Sequence, residues 1–143
     1  MSHDETERQV AELRRFSAVI SEQLDEDVAI VRHIDDCLAA LARLRPEWEI
    51  VLAADILLLH QSERRSQDRR LLSAAVRLPG GVAVGILDGE EGSSVVNGDQ
   101  HLHGLEGFRF LPFNDAPALI QRLVLPLIPY TLEALCDQLE SRI

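Results

Sequence analysis

The densest run of chemistry-bearing side chains in this sequence is NGDQHLHGLEGF, residues 97–108. His101 and His103 stand two apart, with Asp99 before them and Glu106 after. On an extended strand Asp99, His101 and His103 would share one side, because side chains alternate with period two. Two imidazoles with carboxylates can bind a divalent metal, or supply a general base with an orienting acid. Against this, Gly98, Gly104 and Gly107 surround the pair. Histidine, asparagine and aspartate are ordinary residues of polar loops. Two histidines are half of a tetrahedral site, and a glycine-bearing backbone loses much entropy when a ligand orders it. The expectation is therefore a loop that holds no metal, with His101 and His103 as catalytic candidates and Asp99 and Glu106 as ligand-binding candidates.

Two further polar residues stand out. Asp55 lies inside the apolar run WEIVLAADILLLH, residues 48–60, where a carboxylate needs a partner or its pKa rises. Asp55 joins the two histidines as a third catalytic candidate, and Arg77, on the strand expected to follow, is its candidate partner or a ligand-binding group. His60 closes the run and is expected to face solvent. Other motifs are weak. The glycines of LPGGVAVG and LDGEEG are not followed by the Lys-Ser/Thr of a phosphate loop, and no serine sits in a nucleophile-elbow pattern. Histidine-x-histidine with a later glutamate is a spacing that cupins use. Here Glu106 follows His103 by only three positions, no histidine comes after it, and helices are expected at both ends, so the family is not matched.

Composition narrows the function classes. The chain has 143 residues and a formal net charge of -10, which disfavours binding to nucleic acid or to an anionic membrane and favours basic partners. All fourteen positive charges are arginine, so neither a Schiff base nor a lysine general base is possible. Aromatic residues make up 4%, too few for a base-stacking platform. Cys37 and Cys136 each lie in an apolar-periodic segment and read as free core thiols. The start, MSHDETERQV, is polar and acidic, unlike a signal peptide, and the most apolar window carries Gln121, Arg122, Glu133 and two prolines. A cytoplasmic protein without a cofactor is expected.

The elements that would position these groups follow from punctuation and period. Residues 4–45 contain no glycine and no proline. Val10, Leu13, Ile20, Leu24, Val31, Ile34, Leu38 and Leu41 follow a three-four spacing, with Ser17 and Asp27 out of pattern. This predicts a helical arm, broken near QLDED into two helices with Asp25 as a cap. The apolar seam is long for one small sheet to cover, which predicts a homodimer. Residues 48–60 read as a central strand, buried on both faces. LLSAAVRLPGGVAVGIL reads as a hairpin around Pro79-Gly80-Gly81, SVV as a short strand or loop, and FRFLPF as a last strand. Asn114 is the expected cap of the next helix. Pro129 can open the final one, whose inner stripe would be Leu132, Leu135, Cys136, Leu139 and Ile143. The fold class is α+β in a single domain. It has an N-terminal helical segment (4–45), an antiparallel meander sheet of three to five strands (48–113), and C-terminal helices (114–143) packed on one face. The function expected is a non-enzymatic protein-interaction or regulatory module, homodimeric or with a basic protein partner. The alternatives are a small-molecule pocket between sheet and helices, or a small enzyme using Asp55, His101 and His103.

Overall fold

The computed structural model describes residues 2–22, 28–54, 57–60, 69–88 and 108–143. Helix α1 runs Ser2–Glu22, with Asp4 and Glu5 in its first turn where the helix dipole favours negative charge. It buries Thr6, Val10, Leu13, Ser17 and Ile20. The three-four spacing thus runs through Ser17, whose hydroxyl is small enough to enter the seam. Helix α2, Ile30–Leu44, buries Val31, Ile34, Cys37, Leu38 and Leu41. Arg45 ends it by donating its N–H to the Leu41 carbonyl at 2.8 Å, one residue ahead of Pro46. The arm is therefore two helices. Residues 23–27, and with them Leu24 and Asp25, lie outside the described residues.

Within this single chain the described seam is already covered. α1 packs on α2 and on the last helix, and α2 packs on the sheet. Val10, Leu13, Val31, Ile34, Leu38 and Leu41 are each at most 2% exposed. The premise that the seam needs a second chain to cover it does not hold.

Among the described residues, five antiparallel strands occupy four positions. Strands β1 (Ile50–Ala53) and β2 (Leu57–His60) follow one another along one edge of β3 (Arg69–Leu78); β4 (Gly81–Asp88) and β5 (Arg109–Pro112) continue the meander. Ala53 pairs with Ala75 but Leu57 with Leu72, so the edge gains one residue on β3 across the junction, the count of a β-bulge. Among the described residues, β1 and β2 thus lie at an edge of the sheet and not at its centre. The side chains of β1 alternate: Ile50 is buried while Val51 is 56% exposed. Local apolarity does not reveal that, among the described strands, only β3 adjoins it.

β3 and β4 meet at the expected turn, where Arg77 pairs with Gly81 and the Leu78–Pro79 peptide is cis. Gly80 and Gly81 have φ of 141° and 103°, values that side chains rarely allow. Leu72, Ala74, Val76 and Leu78 of β3, with Val82, Val84 and Ile86 of β4, face the helices and form the main core. Leu71, Ser73, Ala75 and Ala83 are buried on the opposite face. There Gly85 has no room for a side chain, since a Cβ would lie 2.8 Å from Phe110 and 3.2 Å from Phe108.

The C-terminal region starts with a 3-10 turn at Phe113–Asp115. Helix α3, Ala118–Val124, follows Pro117, so Pro117 and not Asn114 sits at its cap position. A 3-10 turn, Leu125–Leu127, joins α3 to α4, Ile128–Arg142, which has Pro129 in its first turn as expected. Leu132, Leu135, Cys136 and Leu139 are fully buried, with Ile143 packed at the edge of the core. Each such leucine contributes roughly 1.5–3 kcal/mol of burial.

Candidate functional site

The sequence-derived candidates divide sharply. Asp55, Asp99, His101, His103 and Glu106 all lie outside the described residues, as does the SVV stretch. For His60 the backbone is described, paired with Arg69. Next to Asp55, the Ala54 N–H donates to the Ala74 carbonyl at 2.6 Å. Among the described residues no group of three or more His, Cys, Asp or Glu could hold a metal.

Arg77 is described, and it reaches the hairpin corner. Its side chain lies over Gly80, where a Cβ would come within 3.1 Å of the Arg77 Cβ and 3.3 Å of Nε. The Nε is buried without a hydrogen-bond partner among the described residues. The same corner receives Asp35 from α2, whose Oδ1 accepts the Val82 N–H at 2.8 Å. Gly81 permits this approach: a Cβ there would stand 2.9 Å from Asp35 Oδ1. Burial pushes the Asp35 carboxyl up, while the Val82 N–H and the Arg77 guanidinium pull it back. This corner joins helix to hairpin. The bond from the Val82 N–H to Asp35 holds the two together.

A second polar cluster joins the two ends of the chain. Arg14 on α1 reaches Glu133 and Asp137 at 2.6 Å and Glu140 at 2.9 Å, all on α4. Glu140 and Asp137 hold the guanidinium firmly protonated, and Arg14 in turn lowers the Glu140 carboxyl. Beside them lies a groove of about 500 Å³, lined by Glu7, Val10, Ala11, Arg14, Glu140 and Ile143. It runs between α1 and α4, not between sheet and helices. Its floor is aliphatic and its rim is charged.

The third feature is apolar. Leu119 is 61% and Tyr130 66% exposed, the largest outward apolar side chains on the C-terminal helices. Leu123 and Leu127 are half-buried between them and Pro126 is exposed. The positions 119, 123, 126, 127 and 130 repeat at three and four, the spacing of one helical face. Residues 118–142 are long and apolar enough by composition to cross a membrane, yet their inner residues belong to the core. The signal for the outer stripe was present in the sequence. ALIQRLVLPLIPY is apolar on more sides than one packed layer can use.

The two cysteines are buried and free. Burial pushes the Cys37 thiol up to about 11 and the Cys136 thiol up to about 12. Cys136 also donates to the Val10 carbonyl at 3.8 Å. Neither is poised as a nucleophile, because the thiolate is the reactive form.

Compared with protein families, with characterised proteins and with solved structures, the chain finds no match.

Proposed function

We propose that this protein is a non-enzymatic protein-interaction module that docks a partner on the outer face of α3 and α4. The observation that carries this reading is the pair of exposed side chains Leu119 and Tyr130, bridged by half-buried Leu123 and Leu127, on a helical unit whose opposite face already fills the core. An apolar helical face rimmed by charge is a common mark of a protein contact. Tyrosine supplies large contact area at low entropic cost and is enriched where interfaces concentrate their energy.

The test uses the full chain and a synthetic amphipathic helix whose apolar stripe is leucine and whose polar positions are glutamine. Chemical-shift changes should centre on Leu119, Leu123, Leu127 and Tyr130. A Leu119→Ser, Tyr130→Ser double variant should lose the shifts while unfolding at the same temperature as the parent. Shifts confined to other surfaces would end the reading.

The groove between α1 and α4 supports a second reading, a small-molecule site. Its volume of about 500 Å³ suits a compact ligand. A fragment screen read by shifts at Val10, Ala11 and Ile143 tests it, and an absence of hits there would remove it.

A further inference from the structure

The outer face of α4 changes character one turn beyond Tyr130. Glu133 and Asp137 follow at plus three and plus seven, on the face that carries the apolar stripe, and Glu140 comes one turn later on its flank. All three are at least half exposed. They share one guanidinium, that of Arg14, so among the described ion pairs this cluster has two more negative charges than positive ones. Neighbouring arginines of α1 do not offset this, because Arg8 is engaged by Glu5 and Arg15 by Glu12, each at 2.6 Å. The stripe and the acidic run adjoin along one side of α3 and α4, with the exposed Arg122 beside the stripe at the α3 end and the anionic run at the α4 end.

Resting on the docking reading above, we infer that the partner is a cationic amphipathic helix. Its apolar face covers Leu119 to Tyr130, and lysine or arginine residues at one end meet Glu133, Asp137 and Glu140. A second copy of this chain is the competing occupant. It would bring another net charge of -10 against the first, and its own face carries the same acidic end. Like-charged surfaces raise the cost of close approach, whereas a basic partner lowers it and is steered to the site. Charge complementarity therefore favours a basic helix over self-association.

The experiment compares three peptides with the full chain by fluorescence anisotropy. They share one leucine stripe and differ only at one end, which carries lysine, glutamine or glutamate. The lysine peptide should bind about tenfold tighter than the glutamine peptide at low salt, and the difference should shrink toward zero in about 0.5 M salt as screening takes over. A Glu133→Gln, Asp137→Asn variant keeps Glu140 to hold Arg14. It should remove the lysine preference and leave the glutamine peptide's affinity unchanged. Equal binding of lysine and glutamine peptides would overturn the cationic partner and leave the docking face standing. Failure of all three peptides would overturn the docking face itself. Self-association that Tyr130→Ser abolishes would assign the face to a second copy and overturn the inference.

Discussion

Replacing Asp35 tests how the helices are tied to the sheet. In Asp35→Ala the Val82 N–H, on a residue 2% exposed, loses its acceptor at 2.8 Å. A charge-assisted bond of this kind is worth about 1.5–3 kcal/mol, and a donor left buried without a partner costs about 1–3 kcal/mol. Burial of the carboxylate works the other way, since it raises the Asp35 pKa and its removal relieves that cost. The expected net loss for Asp35→Ala is about 1–2 kcal/mol by urea unfolding at neutral pH. Asp35→Asn keeps an acceptor oxygen and removes the buried charge, so it should lose less than alanine. The sign of the pH dependence follows from the raised pKa. Between the unfolded value and the higher folded one, the native state holds more protons, so this group's contribution falls as pH rises through that window. The stability of Asp35→Asn relative to the parent should therefore improve on going from acid to neutral pH. An alanine variant as stable as the parent would refute the argument. So would an asparagine variant less stable than alanine.

Leu135 is fully buried on α4, and Leu135→Ala should cost about 2–5 kcal/mol in urea unfolding; a loss below about 1 kcal/mol would show that the helix is loosely seated. Gly81→Ala should destabilise through both its φ of 103° and the 2.9 Å approach to Asp35, and Asp35→Ala should relieve only the second part, which a double-mutant cycle would reveal. Glu140 is held below its ordinary value by Arg14, so its contribution is present above the unfolded pKa and lost as pH falls through the folded one; Arg14→Gln should flatten that acid-side slope, read by thermal unfolding across pH. Cys37 and Cys136 should resist a thiol reagent at pH 8 in the folded protein and react promptly in denaturant, and rapid modification of the native protein would contradict their burial.

Local period and punctuation determined much of this architecture. A run of residues without glycine or proline, with an apolar side chain every three or four positions, becomes a helix whatever surrounds it, as α1 and α2 show. Pro79, Gly80 and Gly81 placed the hairpin, because few residues accept those backbone angles, and the stripe from Leu132 to Leu139 marked the inner face of α4. The candidate site was far less legible. The histidines and Asp55 stood out by residue type alone, and they lie outside the described residues. What tertiary structure decided was pairing across distance. β1 and β2 became an edge with a one-residue slip because each strand's role depends on how many neighbours it has, which its own residues do not encode. Arg14 found carboxylates more than a hundred positions away, and Asp35 found the Val82 N–H across 47. The outer stripe of α3 and α4 follows the same logic. A segment apolar on two sides can bury only the side that the fold turns inward, and the order of layers made that choice.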